Sequence, residues 1–271
     1  MQTLGFKITG NPDGTPLALV HGWGADSSFM QPIADHYPNR RVMLIDLPGY
    51  GMSKHLHSIS NDFHATCKLL YDTVEPGCDL VSWSISTLFA LNVCNQQPRK
   101  VNSLVTICGT PRFPKDPNWP GMSSNIVIKA KRFLNSKRAV RMLSVFFKRQ
   151  ILNIDESNEA DLGFGIDELF RKLNDIDRET LLAGIDLMSY TDARADLNNL
   201  SIPSMHFFGA TDLIVPPGIA HIIAGREGRN AFIFPYSGHM PFLSEAKLFY
   251  QQLDKFYSCI EEHFRGNRPQ A

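Results

Sequence analysis

Six short apolar runs, each closed off by turn residues, punctuate the chain: LALV (17–20), VMLI (42–45), CDLV (78–81), NSLVTI (102–107), MHFF (205–208) and AFIF (231–234). They are too short for helices and do not alternate with polar residues, which is the pattern of parallel strands buried on both faces. Longer helix-permissive segments separate many of them, at 60–76, 86–97, 217–224 and 244–264. Strand–helix alternation at this spacing predicts an α/β fold built on a doubly wound, mostly parallel sheet. The stretch 118–192 breaks the rhythm. It holds no convincing strand, whereas KAKRFL, RAVRMLSVFF, IDELFRKL and ETLLAGIDLM read as amphipathic helices. Strand-like text resumes at Ile202–Phe208, beside Pro203. The expected organisation is one core, 1–117 and 193–271, with a helical cap, 118–192, inserted between strands of its sheet. Parallel sheets bind ligands in the crevice outside their carboxyl ends, so such an insertion would roof that crevice.

Composition narrows the class without changing the fold. A length of 271 residues, 43% hydrophobic and 20% charged, suits one large α/β domain, with or without an insertion, or two small domains. Twenty-seven basic and twenty-seven acidic residues give no global pull toward nucleic acid or an anionic membrane. The opening MQTLGFKITGNPDG lacks a basic segment followed by an apolar core, and no apolar run has bilayer length. Five scattered cysteines (67, 78, 94, 108 and 259) without metal-type spacing read as reduced thiols. The expectation is a monomeric cytoplasmic protein.

The chemistry centres on DLVSWSISTLFAL (79–91), where Ser84 falls between a strand and a helix. A tight strand-to-helix turn there would lift the hydroxyl above the sheet at the positive end of a helix, the context of a nucleophile elbow. The motif has Ser82 and Ser86 where such turns favour glycine. On this segment alone, a helix N-cap hydroxyl is the simpler reading. A serine nucleophile also needs an imidazole and a carboxylate, in chain order Ser, acid, His for this architecture. Downstream, MHFFG runs into ATDLIVPP, placing Asp212 after a strand, and AFIF runs into PYSGHMPF, placing His239 after the next. All three lie past C-terminal strand ends and can converge on one edge. Asp116, after the strand ending near Ile107, is a rival acid, and Asp212 is favoured over it. His36, His55, His57, His64, His206, His221 and His263 are read as structural. For the oxyanion, LALV leads directly into His21-Gly22-Trp23-Gly24, so the backbone N–H of Trp23 and that of Ile85 are the candidate donors.

HGWG, DLPGYGMS (46–53), SWSIS, GATDLIVP and SGHMPF resemble motifs of the α/β-hydrolase superfamily along essentially the whole chain. TICGTPRF, Asn118-Trp119-Pro120-Gly121 and DARADLNNLSIP (192–203) narrow the resemblance to the pimeloyl-[acyl-carrier protein] methyl ester esterases of biotin synthesis. That resemblance implies a serine carboxylesterase with Ser84 as nucleophile, His239 as general base and Asp212 as its orienting acid. It also implies substrate contacts from Trp23, Ile85 and the cap residue Phe146, with no metal or organic cofactor. The chain departs from the family at Ser82 and Ser86, where glycine is usual, and at Thr87, where a further small residue is usual.

One charge pattern bears on the partner. Lys129, Lys131, Arg132, Lys137, Arg138, Arg141, Lys148 and Arg149 crowd one window that holds no acidic residue. Charge alone leaves open a solvated helix face or a docking patch. The resemblance favours docking of acidic acyl-carrier protein, with Arg138, Arg141 and Arg149 as the contact residues. Two other functions stay open: a broad short-chain esterase or lactonase, and a catalytically silent hydrolase relative that binds without reacting. A dehalogenase or epoxide hydrolase is disfavoured, because those carry aspartate where Ser84 stands.

Overall fold

The computed structural model describes residues 2–96, 100–134, 175–225 and 229–266. Seven strands form its sheet: β1 (Phe6–Gly10), β2 (Pro16–Val20), β3 (Arg41–Ile45), β4 (Cys78–Trp83), β5 (Val101–Ile107), β6 (Ser204–Gly209) and β7 (Arg229–Phe234). They lie in the order β1-β3-β2-β4-β5-β6-β7, parallel throughout except for β1, which runs antiparallel to β3. The expected α/β sheet is therefore present, and all six apolar runs form strands of it. The seventh, β1, carries no such run. FKITG is mostly exposed and pairs on one side only, the profile of a protected edge strand whose residues need not be apolar.

The central strands explain the unalternated text. Leu17 to Val20 and Val42 to Ile45 are buried on both faces. Helices Phe63–Thr73, Ser86–Gln96 and Ala246–Gly266 flank the sheet. The first begins where Asp62 accepts the Ala65 N–H at 2.9 Å, satisfying a donor that the helix start would otherwise leave open. The last packs Phe249, Leu253 and Phe256 into the core. Because β2 to β7 are parallel, the loops after Val20, Ile45, Trp83, Ile107, Gly209 and Phe234 all emerge at one edge.

Between β5 and β6 the described chain is helical, with helices Ser124–Leu134, Arg178–Tyr190 and Arg194–Asn199. An ion pair between Lys131 and Asp186 joins the first two. The segments that flank this insertion meet. Arg112 reaches Asp192 at 3.2 Å, Arg194 reaches Asp116 at 2.9 Å and Asp192 at 2.6 Å, and the Ala193 N–H donates to Pro111 O at 2.7 Å. Trp119 donates its indole N–H to Arg112 O, and the Arg194 guanidinium lies 5.7 Å from its ring centroid. The hydrogen bonds from Arg194 hold the Asp192 carboxyl below the usual carboxylate range. Phe146, Arg138, Arg141 and Arg149 lie outside the described residues, as does the rest of 135–174. Among the described residues, no helix is long and apolar enough to cross a membrane.

Candidate active site

Ser84 sits between β4 and helix Ser86–Gln96 with φ of +61°, the left-handed region that few residues other than glycine adopt. This sharp bend projects the side chain over the strand ends, and the Ser84 N–H is fixed by Ile107 O at 2.9 Å. Asp212 follows β6 and His239 follows β7, as their placement after apolar runs predicts. The three side chains meet. The Ser84 hydroxyl lies 2.8 Å from His239 Nε2, and His239 Nδ1 lies 2.7 Å from Asp212 Oδ2. With the ring proton on Nδ1, that N–H donates to the carboxylate and Nε2 accepts from the serine hydroxyl. All three are buried, at 5, 2 and 8% exposure for Ser84, His239 and Asp212, so solvent competes little for these bonds.

Each member is braced by its own loop. Asp212 Oδ1 accepts the N–H groups of Ile214 (2.7 Å) and Val215 (3.1 Å), leaving Oδ2 for the imidazole. The turn-capping role and the orienting role thus fall to different oxygens of one carboxylate. The carbonyl of His239 accepts the Trp83 indole N–H at 2.9 Å, so the residue beside the elbow pins the histidine loop. Trp83 is at the same time core, stacked on Phe29 at 6.0 Å between centroids.

The substituted elbow fits. The Ser86 hydroxyl is within donating distance of Trp83 O (2.9 Å) and Val20 O (3.1 Å). Ser82 donates to Val105 O at 3.4 Å and stands 3.3 Å from the Thr87 hydroxyl. Thr87 is housed by Gly109 on the next strand end, where any Cβ would stand 2.6 Å from Thr87 Cβ. Hydroxyls at 82, 86 and 87 are therefore hydrogen-bonded or accommodated, and the bend at Ser84 survives them.

On the opposite side, the HGWG loop approaches the elbow closely. A Cβ on Gly22 would lie 3.1 Å from Ser84 Cβ, close enough that a neighbour would have to give way by a few tenths of an ångström. His21 anchors the loop from below, its Nε2 accepting the Leu47 N–H at 3.0 Å and its Nδ1 2.8 Å from Gly22 O. The Trp23 side chain reaches up to the insertion, donating to Leu181 O at 2.8 Å. Among the described residues, the backbone N–H groups of Trp23 and Ile85 have no protein acceptor, an uncommon condition for groups this enclosed.

The remaining candidates separate cleanly. Asp116 is committed to Arg194 at the base of the insertion, away from His239. His206 is buried between Thr106 Oγ1 (2.8 Å) and Ser204 Oγ (3.1 Å), and burial lowers its pKa to about 3. His36 pairs with Asp254, while His55, His57, His64 and His221 are exposed. The His263 side chain lies outside the described residues. One neighbour has no counterpart in the sequence reading. Cys108, read only as a buried thiol, has φ of +45°, and its sulfur, an Asp212 oxygen and a His239 nitrogen all lie within 4.8 Å of one another. Burial, then the Asp212 charge, pushes its thiol pKa well up. A metal would find these three atoms close together, but the imidazole and carboxylate already bond each other.

The sequence profile described as "Alpha/beta hydrolase family" matches residues 17–252. The chain belongs to that family. Among curated alpha/beta hydrolase relatives, the pimeloyl-[acyl-carrier protein] methyl ester esterase of Legionella pneumophila (strain Lens) is 31% identical over 245 residues, 90% of this chain and 95% of that one. The protein of the same name from Vibrio cholerae is 29% identical, covering 94% of this chain and 98% of its own. Solved structures agree on the fold. A Bacillus anthracis bromoperoxidase superposes with a TM-score of 0.81 at 18% identity, covering 93% of this chain and 94% of its own. A Rhodococcus esterase gives 0.78 at 21%, covering 94% of each. This alpha/beta hydrolase accordingly presents its serine, histidine and aspartate on the loops after β4, β7 and β6.

Proposed function

We propose that the protein is a serine carboxylesterase that hydrolyses the methyl ester of a pimeloyl chain held on acyl-carrier protein, a step of biotin synthesis. One observation carries the chemistry: the unbroken chain from Ser84 Oγ through both imidazole nitrogens to Asp212. The substrate assignment rests on relatives that bear this name and align along 90% or more of the chain. Ser84 attacks the ester carbonyl while His239 Nε2 takes its proton, and the imidazolium is stabilised by Asp212. The negative tetrahedral oxygen accepts hydrogen bonds from the N–H groups of Trp23 and Ile85, whose lack of protein acceptors leaves them available. As the tetrahedral intermediate collapses, His239 gives that proton to the departing methoxide oxygen, which leaves as methanol. A water molecule, deprotonated by the same nitrogen, attacks the acyl-serine and releases the carboxylic acid with Ser84 restored. No step calls for a metal or organic cofactor.

The helical insertion, 118–192, serves in this reading as a cap over the site, with Phe146 lining the acyl path. Arg138, Arg141 and Arg149 on it receive the acidic carrier, which a positive patch would steer to the cleft. The enzyme would act as a cytoplasmic monomer. The test is rescue of a biotin-requiring strain that lacks its own esterase. Wild type should restore growth and Ser84→Ala should not; rescue by both or by neither refutes the assignment. Comparing free with carrier-linked pimeloyl methyl ester separates this enzyme from a generalist, which should gain little from the carrier.

A further inference from the structure

His239 is carried on the loop between β7 and helix Pro241–Ser244, and the placement of its imidazole depends on what holds that loop. On one side, three consecutive carbonyls are taken by residues beside the other strand ends. Ser237 O accepts the Thr211 N–H at 3.0 Å and the Thr211 hydroxyl at 2.9 Å. Gly238 O faces the Cys108 thiol at 3.6 Å, and His239 O accepts the Trp83 indole N–H at 2.9 Å. Thr211 adjoins Asp212 and Trp83 adjoins Ser84, so the loop is indexed to both partners of the histidine. These donors are all neutral.

A second attachment is of a different kind. Glu245 Oε2 accepts the Tyr236 N–H at 3.0 Å and the Ser237 hydroxyl at 2.6 Å. An O–H donor this close to a carboxylate makes a charge-assisted bond, roughly twice as strong as a neutral one. Ser237 is fully buried, and its single proton is committed to Glu245, which leaves a lone pair to accept from Ser244 Oγ at 2.7 Å. Ser237 therefore works in two directions: its carbonyl ties the histidine loop to the acid loop, and its side chain ties it to Glu245. The backbone of Glu245 is in turn fixed to the core. Its N–H donates to Pro241 O at 3.0 Å, and its carbonyl accepts the Phe249 N–H at 2.9 Å at the start of helix Ala246–Gly266. Phe249 and Leu253 of that helix are fully buried.

We infer that Glu245 is a positioning residue for the reaction: by holding Tyr236 and Ser237 it sets where His239 Nε2 meets the Ser84 hydroxyl. The inference rests on the serine, histidine and aspartate roles proposed above and adds a residue to them. Glu245 acts through the loop and takes no part in the bond changes. Without its carboxylate the buried Ser237 hydroxyl loses its acceptor, and the loop leans on its neutral attachments. A displacement of about 1 Å at the imidazole is enough to cost about a hundredfold in rate.

The experiment compares wild type with Glu245→Ala, Glu245→Asp, Glu245→Gln and Ser237→Ala in the full chain. The substrate is nitrophenyl acetate, whose acylation and deacylation steps both need His239. Glu245→Ala and Glu245→Asp should lower kcat by about tenfold to about a hundredfold with KM within about twofold of wild type. Aspartate belongs with alanine because it keeps the charge but falls one methylene short. Glu245→Gln should stay within about threefold of wild type, since its carbonyl can accept the same two bonds. Ser237→Ala, which keeps the Tyr236 bond, should fall between them. The low-field proton resonance of His239 Nδ1 gives a second reading that needs no turnover: it should broaden or vanish in Glu245→Ala and stay sharp in Glu245→Gln. Should Glu245→Ala fail to fold, Glu245→Asp and Ser237→Ala carry the same comparison. A lower Tm with unchanged kcat and resonance would leave Glu245 a purely structural role and overturn the inference. Activity that follows the charge, kept by aspartate and lost by glutamine, would overturn it too. A wild type that hydrolyses no ester and takes no fluorophosphonate label would count instead against the triad roles, and the resonance would still decide whether Glu245 holds His239 against Asp212.

Discussion

The fit of Thr87 beside the nucleophile depends on one missing atom, and that dependence can be measured. Gly109 is not in the left-handed region, so backbone freedom does not explain it; space does. An alanine there would place its Cβ 2.6 Å from Thr87 Cβ and nearer still to Thr87 Oγ1. Rotating the threonine about its own side chain moves the hydroxyl but not Cβ, so the clash can be relieved only by backbone movement. Overpacking of this kind costs about 1–3 kcal/mol. Part of the shift must reach the elbow, because the Thr87 N–H donates to Ser84 O at 3.1 Å. Gly109→Ala should lower the unfolding free energy by roughly 2 kcal/mol and slow the reaction of Ser84 with a fluorophosphonate by about tenfold or more. Thr87→Gly alone removes a small buried side chain and should cost about 1 kcal/mol. Combined, the two substitutions should recover much of the loss, with a coupling energy of at least about 1 kcal/mol. Urea denaturation of the four proteins gives the cycle, and mass spectrometry of the labelled serine gives the rate. Simple additivity in both readouts would mean that Gly109 is not what accommodates Thr87.

Other consequences follow from the same coordinates. A fluorophosphonate should label Ser84 and neither Ser82 nor Ser86, and kcat/KM should fall by roughly a million-fold in Ser84→Ala and roughly ten-thousand-fold in Asp212→Asn; label on a flanking serine would misplace the nucleophile. Gly184→Ala would set a Cβ 2.8 Å from Trp23 Nε1, where it displaces the indole and its bond to Leu181 O. If that bond steadies the Trp23 N–H, kcat should fall by about tenfold or more with a smaller change in KM; a lower Tm with unchanged kcat would confine Trp23 to packing. His206 has a folded-state pKa of about 3, against 6.5 for the free side chain, chiefly because it is buried and then because of the Arg229 charge. The unfolded chain therefore binds the proton first: this contribution is full above about pH 6.5 and is lost progressively as pH falls toward about 3. His206→Gln should remove close to one proton from the slope of unfolding free energy against pH between about pH 4 and about pH 6, and an unchanged slope would contradict the buried neutral imidazole.

Six strands and the meeting of Ser84, Asp212 and His239 at one sheet edge were legible because each depends on local text. A run such as LALV or VMLI must be apolar when both faces are buried, and a polar residue just past such a run must emerge at the sheet edge. The edge strand β1 was not legible for the complementary reason: FKITG pairs only with β3 and stays mostly exposed, so no apolar run marks it. Residues whose role comes from a distant contact were also hidden. Gly109 makes sense only against Thr87, and Gly184 only against Trp23. Asp116 looked like a rival acid because it, too, follows a strand. What disqualifies it is Arg194, seventy-eight positions away.

The tolerance of hydroxyls in the elbow has a structural cause that extends across the sheet. Beyond the ends of β4, β5 and β6 the hydrogen-bond ladder continues for one more step: Ser84 N–H to Ile107 O (2.9 Å), Cys108 N–H to Phe207 O (2.8 Å) and Ala210 N–H to Phe234 O (2.9 Å). Among the described residues, both non-glycine residues with positive φ, Ser84 and Cys108, are rungs of this extension. Left-handed backbone at such residues costs about 1–3 kcal/mol each and persists only where the surroundings over-determine it. Here the clamp from each neighbouring strand supplies that determination, so glycine two residues either side of the serine is not needed to hold the bend. The same rungs link the nucleophile loop to the acid loop through Cys108, whose sulfur lies 3.6 Å from the carbonyl of Gly238, next to His239. A shift at any rung therefore moves two members of the triad relative to each other. For that reason a space-filling change at Gly109, one residue beyond Cys108, should reach the chemistry before it unfolds the protein.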